Sequence, residues 1–244
     1  MHPLSEYMPA DSLVIIPTYN EKGNVENITR KVMSLQGNFN LIIIDDGSPD
    51  GTADIVKSLM KEYEGRLFIL ERKGKQGLGT AYIAGFRWAL EHGYEYIFEM
   101  DADFSHNPDD LIRLKEACVN GADLAIGSRY INGGKISKWD YKRVVMSYCA
   151  SIYVRLILWV NIKDTTAGFK CYRRRVIEAI HFDDIHFVGY AFQIEMKYRT
   201  YRKGFKIVEV PITFTDRVVG VSKMSGKIFK EAIFGVIKMR FLKV

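Results

Sequence analysis

Two carboxylates at i and i+2, Asp101 and Asp103, carry the clearest chemical signal in this chain. They follow the apolar run Tyr96-Ile97-Phe98-Glu99-Met100, so they stand where a strand ends and the backbone turns. Side chains in such a fraying turn can face one site. Hard oxygen donors of this kind suit Mg²⁺ or Mn²⁺, which proteins bind through one or two carboxylates plus the phosphates of a substrate. An ion held there would neutralise a departing diphosphate. A solvated turn capping the helix near Asn107-Pro108 would look the same in isolation.

Two more acidic loops follow apolar runs. Asp45-Asp46-Gly47-Ser48-Pro49-Asp50-Gly51-Thr52 comes after Leu41-Ile42-Ile43-Ile44, and its carboxylates could accept hydrogen bonds from a base or ribose. Pro17-Thr18-Tyr19-Asn20-Glu21 comes after Leu13-Val14-Ile15-Ile16; Tyr19 could pack on a base and Glu21 accept from one. Each could also be a plain strand-to-helix turn, rich in turn formers. Their convergence is more informative, because loops after successive strands of a doubly wound sheet open on one edge. The loop Gly74-Lys75-Gln76-Gly77-Leu78-Gly79-Thr80 lacks both the P-loop ending and the G-x-G-x-x-G spacing. ATPase and dehydrogenase chemistry are thereby rejected, and the glycines are expected to serve a tight turn with close helix approach. No Ser-His-Asp or Cys-His set is apparent.

The elements that must position these loops are legible from periodicity. Leu67-Phe68-Ile69-Leu70 and Leu124-Ala125-Ile126 extend the series of continuous apolar runs, which suit strands buried on both faces. Helical spacing joins Val25, Ile28, Val32 and Leu35, then Ile55, Leu59 and Met60, then residues 81–90 and 111–119. Asp50 or Thr52 is expected to cap the second helix. Strand–helix–strand repetition predicts an α/β, doubly wound, mostly parallel sheet. The second half predicts a long, mostly apolar helix over 139–160, a strand over 206–214 and a basic amphipathic helix over 222–242. One domain over 1–220 with a C-terminal extension, 221–244, is expected.

With 244 residues, 48% of them hydrophobic, a single sizeable core is within reach. The formal charge of +6 favours anionic partners: nucleotide phosphates, lipid surfaces or nucleic acid. Cys118, Cys149 and Cys171 are odd in number and widely spaced, which argues against a disulfide scaffold or zinc cluster and suits a reducing cytoplasm. The N-terminus has no secretory pattern. The apolar run 144–160, interrupted by Arg155, is shorter than the roughly 20 residues a membrane span needs. It is expected to be buried or to lie in an interface, with shallow membrane insertion as the alternative. Residues 222–244 carry six Lys or Arg against one Glu, with aromatics interleaved. Such a helix can lie on an anionic bilayer or dock on its own domain. No stacking platform supports nucleic-acid binding.

These motifs occur in a definite order: 14–21, 45–52, Gly77-Leu78-Gly79, Met100-Asp101-Ala102-Asp103-Phe104-Ser105-His106, Gly127-Ser128-Arg129-Tyr130, Asp164-Thr165-Thr166-Ala167-Gly168-Phe169, and Arg217 with Lys223. The ordered set resembles the dolichol-phosphate mannose synthases, within the family-2 inverting glycosyltransferases. The resemblance implies a GT-A fold with a Rossmann-like nucleotide-binding half. It implies transfer of mannose from GDP-mannose to a dolichyl or polyprenyl phosphate, on the cytoplasmic face of a membrane. Other sugar nucleotides (UDP-glucose or UDP-N-acetylglucosamine), or a saccharide acceptor, are the alternative. Carried onto this sequence, Pro17, Tyr19, Glu21, Ile44 and Asp46 would line the guanosine site. Asp101, Ala102 and Asp103 would hold the donor diphosphate through the metal, with Ser105 standing where relatives often place a Gln ligand. Asp101, Asp103 and Arg129 would be catalytic, Arg129 by meeting the acceptor phosphate. Arg217 and Lys223 would clamp the diphosphate. Arg129 could instead form a structural ion pair. Lys135 and Arg143 could extend the basic patch beside Arg129, but a solvated face is the preferred reading; His106 reads as a loop residue or one behind the site rather than as a base.

Overall fold

Val, Ile and Leu dominate the early strands because a sheet covered on both faces offers no polar side. In the computed structural model, which describes residues 10–216 and 234–242, the first half runs β1 (Ser12–Thr18), α1 (Val25–Met33), β2 (Phe39–Asp45), α2 (Thr52–Met60), β3 (Leu67–Glu71), α3 (Leu78–Glu91), β4 (Tyr96–Glu99), α4 (Asp110–Val119) and β5 (Leu124–Ser128). The second half adds β6 (Lys135–Ser137), α5 (Tyr141–Leu158), β7 (Lys170–Arg173), α6 (Arg174–Ala179), α7 (Ala191–Arg202), β8 (Ile207–Pro211) and β9 (Thr213–Thr215). Residues 234–240 are helical.

The seven-stranded sheet has the order β3-β2-β1-β4-β7-β5-β8. All its pairs are parallel except the two made by β7. Alternation along the strands splits the core in two. Leu13, Ile15, Ile42, Ile44 and Ile97 pack with residues of α3, α5, α6 and α7. Val14, Ile16, Leu41, Ile43 and Phe98 pack with residues of α1, α2 and α4. Each such buried side chain contributes roughly 1.5–3 kcal/mol.

Close approach of α3 to the sheet depends on Gly85. A Cβ there would fall 2.6 Å from Cγ2 of the fully buried Ile15. Gly85→Ala is therefore expected to lower unfolding stability by roughly 1–3 kcal/mol through overpacking. Urea titration monitored by circular dichroism reads this directly, and an unchanged midpoint would contradict it.

Four expectations are modified or refined. The strand over 206–214 divides: β8 pairs with β5, and the next residues leave the sheet to pair as β9 with β6. The Ile212 N–H still donates to Ser128 O at 3.0 Å, and Pro211 is tolerated because its missing N–H falls on the outer side of this edge strand. The helix over 139–160 forms as α5, capped by Asp140, whose carboxylate accepts from the Arg143 N–H. Of its residues only Ser151, Val154 and Leu158 are buried, so it lies on the surface. Of the helix over 222–242, the described part is helical at 234–240, and Val236 and Met239 sink into the core that holds Val154 and Leu158. The second helix is capped otherwise than expected: Gly51 is its N-cap, with Asp50 accepting from the Thr52 N–H at 3.0 Å. No helix among the described residues is long and apolar enough to cross a membrane.

Candidate active site

β1 lies between β2 and β4, so strand order reverses beside it. Open α/β sheets bind ligands at that point, outside the carboxyl ends of the strands. The loops after β1 and β2 are stitched together there. The N–H groups of Asn20, Glu21 and Lys22 donate to Ser48 Oγ, Thr52 Oγ1 and Asp50 Oδ2 at 2.9, 3.1 and 3.1 Å. Asp45 fixes the turn by accepting from Thr18 Oγ1 at 2.8 Å and from Ser48 Oγ at 2.6 Å. Asp46 is held by Arg72 Nε at 2.7 Å, a partner the sequence reading missed. Arg72 reaches on to Thr80 Oγ1 at 2.9 Å, tying the glycine loop to the same edge. Tyr19 is half-buried, with Lys75 Nζ 5.3 Å from its ring centroid. Glu21 accepts from Asn24 Nδ2 at 2.9 Å. Ile44 departs from expectation: its side chain is fully buried beneath α3, so only its backbone can meet a ligand. The alternation of β2 that points Ile42 into that layer points Ile44 there too.

Beyond β4 the chain turns tightly. Phe104 adopts φ 57, a left-handed conformation costly for a bulky residue. The turn is held by the Ser105 N–H donating to Asp103 Oδ1 at 3.0 Å. Asp101 keeps 41% of its side chain exposed. Asp103 and Ser105 are buried, and Ser105 Oγ has no hydrogen-bond partner among the described residues. Ala102 is buried in the core and offers only backbone. No group of three or more His, Cys, Asp or Glu is arranged to hold a metal among the described residues. The donors at hand, two carboxylates and an orphaned hydroxyl, fit a hard divalent ion that completes its shell with phosphate and water.

Asp101 and Ser105 also line a cavity of about 680 Å³. Its charged lining residues are Asp101, Arg129 and Arg143; Met146, Ala150, Tyr153 and Val154 of α5, Ile194 of α7, and Val236 also line it. Asp46 and Asp103 are not among its lining residues; they sit at the same sheet edge, at the ends of the two strands flanking β1. Arg129 is buried and grips Asp164 with two bonds, Nε to Oδ2 at 2.7 Å and Nη2 to Oδ1 at 2.6 Å. The ion-pair alternative is thus what the geometry displays, although Arg129 still borders the cavity. Arg143 corrects the reading of a solvated face. It lines the cavity, stacks 3.9 Å from the Trp139 ring and bonds Asp216 at 3.0 Å. Lys135 remains exposed on β6. Arg217 and Lys223 lie outside the described residues.

A sequence model described as glycosyl transferase family 2 matches residues 13–180. The chain is a family 2 glycosyltransferase. It is 48% identical over 225 residues to the polyprenol monophosphomannose synthase of Mycolicibacterium smegmatis, covering 92% of this chain and 85% of that one. With the undecaprenyl-phosphate mannosyltransferase of Micrococcus luteus it shares 46% identity, covering 93% and 92%. Among solved structures, a mannosyltransferase from Pyrobaculum calidifontis in complex with GDP-Man and Mn²⁺ superposes with a TM-score of 0.57 at 14% identity, covering 97% of this chain and 71% of that one. The fold is GT-A.

The glycosyltransferase supports Asp101 from below with a buried polar network. Glu99, next but one to Asp101, pairs with Lys170 of β7 at 3.0 Å, both fully buried. Gln193 of α7 donates to Glu99 at 2.6 Å and accepts from Lys170. Burial holds the Lys170 amine below its usual range against the pull of Glu99. His106 stacks on Phe169 and accepts at Nδ1 from the Asp101 N–H at 3.4 Å. Burial lowers its pKa to about 4, outweighing the nearby Asp103 charge. The ring is therefore neutral at pH 7. An unfolded histidine titrates near 6.5, so the stability its neutral burial contributes is complete above that pH and lost as pH falls toward 4. In a ¹H NMR titration the His106 ring signals are expected not to move between about pH 5.5 and 8; a midpoint within that range would show the ring is solvated or charged.

Proposed function

We propose that this glycosyltransferase moves mannose from GDP-mannose onto the phosphate of a polyprenyl or dolichyl lipid, with inversion, giving polyprenyl-phosphate-mannose. The observation that carries this reading is the shape of the cavity's chemistry. Two arginines and Asp101 line it together with apolar side chains of α5 and α7 and with Val236. Such a space suits an amphiphile with an anionic head beside a sugar donor. The names of the two relatives, both enzymes of polyprenyl-phosphate mannosylation, support the same chemistry.

In this reading Pro17, Tyr19, Glu21 and Asp46 receive the nucleoside, and Asp101, Asp103 and Ser105 would hold Mg²⁺ or Mn²⁺. Held by these residues, such an ion would supply positive charge against the leaving diphosphate. Arg143, with the edge of Arg129 left free by Asp164, positions the acceptor phosphate; a planar guanidinium suits phosphate oxygens. That phosphate is anionic at neutral pH, so its oxygen attacks the anomeric carbon without a general base. The bond from that carbon to the diphosphate oxygen breaks, and GDP leaves with the electron pair. The chain supplies position and charge rather than a covalent intermediate. The lipid acceptor supports a peripheral place at a membrane surface, which this reading puts on the cytoplasmic face. Apolar Leu156, Trp159, Phe234 and Phe241 are exposed on α5, just beyond it and on the segment 234–242. Free Cys118, Cys149 and Cys171 suit that compartment.

Transfer of radiolabel from GDP-mannose to polyprenyl phosphate tests the proposal, with UDP-glucose and UDP-N-acetylglucosamine in parallel and EDTA as a control. Label should enter the lipid fraction only from GDP-mannose, and EDTA should abolish it. Label from a UDP-sugar would overturn the donor; no lipid label from any donor would overturn the acceptor.

A further inference from the structure

A second recess lies at the C-terminal end of α5, away from the catalytic cavity. It has a volume of about 340 Å³, and Arg155, Leu156, Trp159, Asn161 and Tyr201 line it. Among the described residues Arg155 is its one charged lining residue, and its Nε is buried with no hydrogen-bond partner there. Buried guanidinium donors are ordinarily paired, and no acceptor among the described residues serves this one, which leaves the side chain open to an anion. Trp159, 74% exposed, and Leu156, 67% exposed, form an apolar rim. Arg240 stacks 4.2 Å from the Trp159 ring and brings a second positive charge to that rim. The adjoining helix turns outward Phe234, Ile237 and Phe241, spaced along one face.

We infer that this recess holds the phosphate of an anionic membrane phospholipid, with Arg155 as its ligand. Charge complementarity and the rim together select that occupant. A guanidinium fork matches phosphate oxygens. Exposed tryptophan and leucine beside it belong at headgroup depth in a bilayer, where an indole has both an apolar and a polar neighbour. A free soluble anion would gain nothing from that rim. The inference rests on the membrane-surface reading above and adds a specific lipid contact to it. Seated there, the lipid would fix how α5 and the cavity mouth face the bilayer.

Sedimentation with phosphatidylcholine vesicles, with and without phosphatidylglycerol, tests it on the full chain. Arg155→Gln should weaken binding to the phosphatidylglycerol vesicles roughly fivefold, the share of one cation at an anionic surface. Binding to phosphatidylcholine alone should not change. Arg155→Lys keeps the charge and should retain most of the binding, which guards against a folding defect in the glutamine variant. Lys57→Gln, an equal loss of charge on α2, should leave both vesicle types unaffected. Equal losses in Arg155→Gln and Lys57→Gln would mean diffuse attraction and overturn the site. So would unchanged binding by Arg155→Gln, or a wild-type chain indifferent to phosphatidylglycerol. If soluble glycerol phosphate raises the melting midpoint of wild type but not of Arg155→Gln, the occupant is a free phosphate ester, and the lipid assignment falls. Vesicle binding needs no turnover, so a protein that binds as expected yet transfers no sugar refutes the proposed function alone.

Discussion

Asp103→Ala should reduce sugar transfer by roughly a hundred- to a thousandfold, the effect typical of losing one preorganised group that faces developing charge. Asp103 is buried and its Oδ1 accepts from the Ser105 N–H, so alanine removes both a charge and the bond that holds the turn. Asp103→Asn separates the two effects. Its amide oxygen can keep the bond to Ser105, while the negative charge is gone. If charge toward a divalent ion is what matters, the asparagine variant should be nearly as inactive as alanine, and its Mn²⁺ titration of donor binding should weaken in step. Transfer near wild type in the asparagine variant would leave Asp103 as a turn former only. Loss of the single hydrogen bond should cost the fold about 1 kcal/mol, so the alanine variant remains folded for assay.

The second large effect concerns Arg129 and Asp164. Asp164→Leu should destabilise the protein by about 3–5 kcal/mol, because it leaves a buried guanidinium without its counter-ion. Both side chains are buried, joined by two short hydrogen bonds, and Arg129 is further enclosed by the rings of Tyr130, Trp139 and Phe214 at 5.1, 5.7 and 5.4 Å. The double variant Arg129→Met, Asp164→Leu removes both charges, and much of the lost stability should return. Transfer should not return if Arg129 also meets the acceptor. Denaturant melts and kinetics on the three proteins decide the matter. A double variant that is as unstable as the single would show that Arg129 is held by its aromatic cage rather than by Asp164. Burial would raise the Asp164 pKa, but the Arg129 charge and hydrogen bonds outweigh it and hold the carboxyl below its usual 3.8. The pair's contribution is therefore complete above that pH and lost as the medium turns more acid.

Arg129 also shows where sequence reasoning stops. Its residue type points to anion chemistry, with an ion pair as the alternative. Nothing local indicated that Asp164, in a loop before β7, would fold back to occupy the guanidinium. Arg143 erred in the opposite direction. Near the start of a mostly apolar helix it reads as solvated, yet α5 carries it over Trp139 and into the cavity. α7 escaped notice because its pattern has no polar face. Gln193, Glu195, Lys197 and Arg199 are as buried as Phe192 and Ile194, since they pair with one another and with groups on β4 and neighbouring loops. β7 was hidden for a related reason: its Lys170 is charged in sequence and buried in the sheet opposite Glu99.

What the chain determines locally is the strand–helix alternation of the first half, from continuous β-branched runs and amphipathic helices. With it comes the placing of three acidic loops on one edge, since a doubly wound sheet leaves no other place for them. Those features depend on side-chain periodicity, which a linear reading contains. Tertiary structure alone decided which charges neutralise each other, which arginine faces the cavity and which residues of α5 remain bare. Those outcomes depend on pairing between segments far apart in sequence, where burial makes a partner compulsory but no local pattern names it.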